Sequence, residues 1–282
     1  MKLSFPTFNT IHRLTSSSIN ILSSQPTNKV FYDILDIAGF NIFIDSNFDH
    51  TSLCYDTYMT DNPVNYSSNR NAICLTTHLV DTVIFHDLVP NNFKKEDKII
   101  LGGVLKNSHK IFFHPTVAES WSINDTNTHI IKYGLPKIQT TPNKQKKSVV
   151  LINSKNNNNL SVLFSQIKTQ FPDTDMLTST KDHSYQDLTT ILQNYSICID
   201  IEDSLNCLIA SACGCYVITA LPNLHNINGT FDLKDYSGIN SIIESNLQYR
   251  SNTDLTSLYS IVDFSSSMTS VLNKIKQETF SI

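Results

Sequence analysis

The stretch Ile197-Cys198-Ile199-Asp200-Ile201-Glu202-Asp203-Ser204, continued by Ala210-Ser211-Ala212-Cys213-Gly214-Cys215-Tyr216-Val217-Ile218, decides the fold. An apolar run at 197–201 gives way to an acidic turn, a helical segment at 204–213, a glycine and a second apolar run at 216–219. Short apolar strands joined by helices are the pattern of a parallel sheet covered on both faces. The same alternation extends backwards. Residues 149–152 read as a strand, and Leu160, Leu163, Phe164, Ile167 and Phe171 form one helical face. A strand at 175–177 and a helix at 185–192 complete the run. Beyond it, Asn228-Gly229 marks a turn, 239–243 opens a helix, and Met268, Val271, Leu272 and Ile275 trace a last amphipathic helix.

The first half reads the same way. Strands are expected at 41–44, 72–75, 82–86, 110–114 and 129–133, with helices at 30–37 and 96–105. The tract 156–159, all Asn, is a polar loop or the start of a helix. A break comes at Gly134-Leu135-Pro136, followed by a lysine-rich segment. The chain therefore divides into an α/β domain at 1–136, a linker at 137–147, a second α/β domain at 148–264 and a C-terminal helix at 265–282 that is expected to pack back on the first domain.

Bulk composition narrows the function. With 282 residues, 40% hydrophobic and only 16% charged, the chain supports two cores and is not a disordered polymer. A formal charge of -4 supplies no general field for gripping a phosphate backbone, which argues against nonspecific nucleic-acid binding. The six cysteines form no CxxC pair, and Cys213 and Cys215 are too close for a normal bridge, so buried reduced thiols in the cytoplasm are expected. The N-terminus lacks a signal peptide's apolar core, and no stretch approaches the roughly 18 apolar residues of a membrane span. The Asn, Ile, Lys and Ser bias resembles the output of an AT-rich genome, such as a phage or a small-genome bacterium.

Three constellations could carry chemistry. The run at 82–90 delivers His86 and Asp87 to the carboxyl end of a strand, the edge at which ligands bind in open α/β sheets. A His there can deprotonate a hydroxyl, and an adjacent Asp can orient it or serve as base. The alternative is a turn in which both satisfy local hydrogen bonds. Around Glu202, Asp203 or Ser204 can cap the following helix, whose amide end suits a diphosphate, while Glu202 can accept from sugar or ribose hydroxyls. An ordinary capped helix explains the same residues. In the loop Asn153-Ser154-Lys155, Lys155 either neutralises a phosphate or is solvated surface. His114, also at a strand end, reads as structural.

Much is missing. No Walker loop, dinucleotide fingerprint, G-x-S-x-G elbow or HExxH pair is present, and the chain holds only seven glycines. No metal site and no cofactor are therefore expected.

Four stretches resemble the GT-B glycosyltransferases that use nucleotide diphosphate sugars. The segment 83–90 is similar to the family's apolar strand ending in His-Asp with a nearby Pro. The segment 110–115, followed later by Ile131-Lys132-Tyr133-Gly134-Leu135-Pro136, resembles the strand and exit that lead to the interdomain linker. The segment 148–153 looks like the opening strand of the donor domain, and 202–218 resembles the acidic residue, helix and following strand that face the donor. The resemblance implies two Rossmann-like domains facing across a cleft, the first on the acceptor side and the second binding the nucleotide sugar. It implies catalytic roles for His86 and Asp87 and donor contacts at Glu202, Asp203, Ser204, Leu205, Asn153 and Lys155. It further implies metal-independent transfer to a hydroxyl acceptor on a glycan, a lipid-linked group or another molecule. The chain departs from the family at Ile209, where a second Glu would stand, and in lacking both the Arg-x-x-x-x-Lys pair and the N-terminal glycine-rich loop. Two other readings follow: a noncatalytic GT-B-like binding or structural module, and a phage enzyme that glycosylates DNA bases, which the acidity disfavours.

Overall fold

The computed structural model describes residues 18–22, 29–45, 58–60, 82–85, 109–120, 126–138, 146–153, 157–178, 180, 183–201, 203–221, 238–248 and 255–280. The chain splits into two compact units, one comprising Met1–Thr27, Leu35–Lys132 and Val262–Ile282, the other Asn28–Ile34 and Tyr133–Ile261.

In the first unit the described strands are β1 (Ser18–Leu22), β2 (Asn41–Asp45), β3 (Tyr58–Thr60), β4 (Thr82–Phe85), β5 (His109–Phe112) and β6 (Thr128–Ile130). They form one sheet in the order β2-β1-β3-β4-β5-β6, and every pairing is parallel. Ile111 and Phe112 of β5 are fully buried, as strands covered on both faces must be. Helix α1 (Lys29–Ile37), whose residues up to Ile34 belong to the second unit, ends in a left-handed Gly39, with the Gly39 and Phe40 amides returning to the carbonyls of Asp36 and Leu35 at 2.9 and 3.0 Å. That double bond pattern is the Schellman stop. The short helix α2 (Pro115–Ser120) follows β5. The C-terminal helix, expected from its apolar spacing, runs over Ile261–Phe280 and buries Phe264, Met268, Leu272 and Ile275. Within this unit the Phe264 ring lies 6.3 Å from that of Phe113, and the Ser265 hydroxyl donates to the Ala38 carbonyl at 2.8 Å.

The second unit contains β7 (Lys147–Ile152), α3 (Asn158–Gln170), β8 (Asp175–Leu177), α4 (Tyr185–Leu192), β9 (Tyr195–Ile199), α5 (Ser204–Ala212), β10 (Tyr216–Ile218), α6 (Ile239–Asn246) and α7 (Leu255–Leu258). Its sheet is parallel in the order β10-β9-β7-β8. Both units thus start at an inner strand, place the next strand on one side and build the rest on the other. Val149 and Leu151 of β7 join Ile197 and Ile199 of β9 in a core with Leu160, Leu163 and Ile167 of α3 and Ile239 and Ile243 of α6. The interposed Val150, Ile152 and Cys198 are buried too, so the two central strands, β7 and β9, are covered on both faces. Helix α4 starts on a capping box in which Ser184 and Asp187 satisfy each other's backbone amides.

Several expectations fall elsewhere. The strand at 72–75 and the helix at 96–105 lie outside the described residues, as does most of the linker at 137–147. Strands β1 and β3 and helix α2 were not anticipated. Strand β9 spans 195–199 rather than 197–201, which releases Asp200 and Ile201 into the turn. The four described cysteines, Cys198, Cys207, Cys213 and Cys215, are buried free thiols. Burial pushes Cys215 up to about 12 and raises Cys198 and Cys213 as well, so these thiols stay protonated at neutral pH.

Candidate functional site

In an open parallel sheet, ligands bind beyond the carboxyl ends of the strands where the strand order reverses. In the second unit that reversal separates β7 from β9, because the chain leaves β7 toward β8 on one side and returns to β9 on the other. The loops after β7 and β9 are the ones that carry Asn153, Asp203, Ser204 and Leu205.

After β7, Asn153 is buried and acts as a clamp. Its Oδ1 accepts the Asn157 amide at 2.6 Å, while its Nδ2 donates to the Asn157 carbonyl at 3.1 Å and to the Ser161 hydroxyl at 3.3 Å. Asn157 in turn caps α3, its side chain accepting the Asn159 amide at 3.0 Å. The cap is neutral and the first turn of α3 carries no acid, so the positive end of the helix dipole is left without a compensating charge.

The start of α5 differs. Asp203 is its cap, and one carboxylate oxygen accepts the amides of both Leu205 and Asn206, at 2.9 and 3.1 Å. A carboxylate on those amides satisfies the donors and opposes the dipole, so a second anion is repelled there. The Leu205 side chain is buried, which leaves its backbone as the part that could meet a ligand, and that amide is taken. Ser204 is buried as the first residue of the helix.

Beneath this turn lies a polar cluster that sequence reading did not single out. Asp200, 1% exposed, accepts the Asp203 amide at 3.2 Å through one carboxylate oxygen and the Asn206 side-chain amide at 3.1 Å through the other. Asn206 also reaches the hydroxyl of Thr180, in the loop after β8, at 3.4 Å. Among the described residues the buried Asn206 side-chain oxygen has no hydrogen-bond partner, at a cost of about 1–3 kcal/mol for such a group. The available signal was a strand-end Asp followed six positions later by an Asn within an otherwise apolar helix turn.

In the first unit, β4 ends at Phe85, paired with Phe112 of β5. His114 follows β5 and accepts the Thr116 amide on Nδ1 at 3.2 Å, a local cap of the following helix. Burial lowers its pKa, opposed by Glu119, so the neutral ring that can accept this bond is favoured.

No protein-family model matches the chain, and no curated protein sequence does either. Solved structures do match. Anabaena HepE in complex with UDP-glucose superimposes with a TM-score of 0.61 over 94% of this chain and 100% of its own, at 11% identity. HepE with UDP and glucose gives 0.59 over 94% and 98%, also at 11% identity, and HepE with UDP gives 0.53 over the same shares at 10%. The fold is GT-B. The sequence expectation of an α/β GT-B architecture is therefore met. Of the residues marked for this GT-B chain, Asn153, Asp203, Ser204 and Leu205 are described, and they gather at the carboxyl ends of neighbouring strands. His86, Asp87, Lys155 and Glu202 lie outside the described residues. Among the described residues no group of three His, Cys, Asp or Glu could hold a metal, and no helix is long and apolar enough to cross a membrane.

Proposed function

We propose that the chain transfers a hexose from a nucleotide diphosphate sugar of the UDP-glucose class to a hydroxyl acceptor. What carries the reading is the position of Asn153 and Asp203 on the two sides of the strand reversal in a fold that matches, over 94% of the chain, a protein crystallised with UDP-glucose. The sites divide by charge. Asp203, with Glu202 beside it in sequence, faces the hydroxyls of ribose or sugar, since carboxylates accept from hydroxyls and repel phosphate. The diphosphate lies toward the loop 153–155 and the acid-free start of α3, where Lys155 supplies a cation. Ser204 and Leu205 shape the donor side through their backbone.

In the transfer, the acceptor oxygen bonds to the anomeric carbon as the bond from that carbon to the diphosphate oxygen breaks. The hydroxyl proton passes to His86 or Asp87, and the leaving diphosphate is stabilised by Lys155 and backbone dipoles, with no metal required. The test is a thermal-shift titration with UDP-, GDP-, ADP-, CMP- and TDP-linked sugars, with and without EDTA, because a ligand of the native state raises Tm by mass action. UDP-glucose should raise Tm in EDTA and Glu202→Ala should abolish the rise. No shift at millimolar nucleotide sugar would sink the reading.

One observation favours a second reading, a noncatalytic GT-B-like binding module. Asp203 occupies two amides at the start of α5, and Ile209 stands where the family's second Glu is expected. Saturable UDP-glucose binding without release of UDP, over a panel of hydroxyl acceptors, would select it.

A further inference from the structure

A buried side-chain amide whose oxygen meets no donor among the described residues is a poor choice for packing. Leucine has the same branched shape and number of heavy atoms and would leave no orphaned acceptor, so Asn206 is retained for what its other end does. That end, Nδ2, is hydrogen-bonded to Asp200 at 3.1 Å and to Thr180 at 3.4 Å. Asp200 needs such a donor, since a carboxylate only 1% exposed is costly unless its oxygens are hydrogen-bonded. Asp200 is also the residue whose other oxygen holds the Asp203 amide, and Asp203 then holds Leu205 and Asn206. The contacts form a closed chain that fixes both ends of the turn after β9 and ties it to the loop after β8.

We infer that Asn206 is a positioning residue of the donor site, acting through Asp200 to fix the turn that presents Asp203 to a nucleotide diphosphate sugar. This rests on the function proposed above. Asn206 does not touch the donor, because its side-chain oxygen is buried; it sets the geometry of groups that do. A loss of that geometry weakens donor binding without unfolding the unit, because the apolar contacts of α5 with β9 and β10 are unchanged.

The test compares UDP-glucose affinity by calorimetry with Tm by circular dichroism, in full-length protein. Asn206→Leu and Asp200→Asn should each raise the Kd for UDP-glucose at least about tenfold. The Asp200→Asn/Asn206→Asp double variant, which rebuilds the amide–carboxylate pair in reverse, should recover most of that loss, the nonadditivity expected of contacting residues. Thr180→Val keeps shape and fold while removing the more distant hydroxyl, and should raise Kd by roughly threefold. A purely structural role predicts lower Tm with unchanged Kd in all of them, and that pattern would overturn the inference. If Asn206→Leu does not fold, Thr180→Val decides: an unaltered Kd overturns the inference and a raised one supports it. Wild-type protein that binds no nucleotide sugar removes the functional reading and this inference with it, whereas binding that is indifferent to these substitutions removes the inference alone.

Discussion

Asp203 holds the backbone amide of Leu205 at 2.9 Å, so the amino end of α5, whose free amides the sequence offered to a diphosphate, already carries an anion. The two roles of this carboxylate, cap and ligand contact, separate by substitution. Asn caps a helix about as well as Asp, whereas Ala loses about 1 kcal/mol. Asp203→Ala should therefore lower Tm by a few degrees and Asp203→Asn should hardly move it. On the reading that Asp203 faces hydroxyls, Asp203→Asn weakens UDP-glucose binding several-fold. Tighter binding of UDP in Asp203→Asn would show instead that the diphosphate sits at α5 and had been opposed by the charge.

The clamp at Asn153 makes a second prediction. Its side chain joins β7 to the first turn of α3 through bonds to Asn157 and Ser161. Asn153→Ala leaves the half-buried Asn157 amide without its acceptor and should destabilise the second unit by about 1 kcal/mol. If the diphosphate lies on this loop, UDP itself, without sugar, should lose affinity in the variant. Equal loss of stability with unchanged UDP affinity would assign Asn153 to folding alone. Both quantities come from one thermal-shift titration of the two proteins with UDP.

The second half of the fold was legible because its grammar is local. Helix α4 was expected at 185–192 and is found there, since Ser184 and Asp187 fix its start and Leu188 and Leu192 face the core. Strand β7 announces itself as an apolar run ahead of a helix, and β8 as a short stretch framed by a helix on each side. Strand β3, by contrast, is three residues without the flanking helix patterns that frame β8, and β1 alternates polar and apolar residues rather than forming an apolar run. Helix α2 carried a start signal in Pro115 at its first position, but six residues give too little periodicity to reveal it. The site was half legible for the same reason. Asp203 caps by a local rule, whereas the link from Asp200 through Asn206 to Thr180 joins residues up to 26 positions apart and exists only once the sheet order is set.

At the opposite, amino edge of that sheet, Lys147 and Tyr195 both bond to Asp175, at 2.6 and 2.7 Å. The Lys147 ammonium, then the Tyr195 hydroxyl, hold the Asp175 carboxyl below its ordinary range. A carboxyl depressed in the folded state contributes stability above its unfolded pKa of about 3.9 and loses it as pH falls through the lower folded value. The side chains of Lys147 and Asp175 are 53% and 41% exposed, so the contribution is small, at most about 1 kcal/mol. Asp175→Asn should lower Tm slightly at pH 7, with the gap to wild type closing below about pH 4 and shrinking in high salt. UDP-glucose affinity should not change, since this edge lies at the other end of the strands from the donor loops. A change in that affinity would contradict the placement of the site.

Gly214 tests how α5 is stopped. Its φ is 81°, a left-handed conformation, and the amides of Gly214 and Cys215 return to the carbonyls of Ser211 and Ala210 at 2.9 and 3.0 Å. A Cβ at this position would lie 3.6 Å from the Lys146 Nζ, an ordinary contact, so substitution meets no clash. The penalty of Gly214→Ala is then conformational, roughly 1–2 kcal/mol for an L-residue in this region. In a chain of this size that lowers Tm by about 2–4 °C per kcal/mol. Lys146, which donates to the Cys213 and Gly214 carbonyls at 3.4 and 3.5 Å, adds a cation at the negative end of the same helix. Lys146→Met should therefore destabilise less than Gly214→Ala, by a few tenths of a kcal/mol, and only its effect should fade in high salt. If Gly214→Ala instead left Tm unchanged, α5 would have to end without the left-handed residue, and the turn into β10 would be built differently.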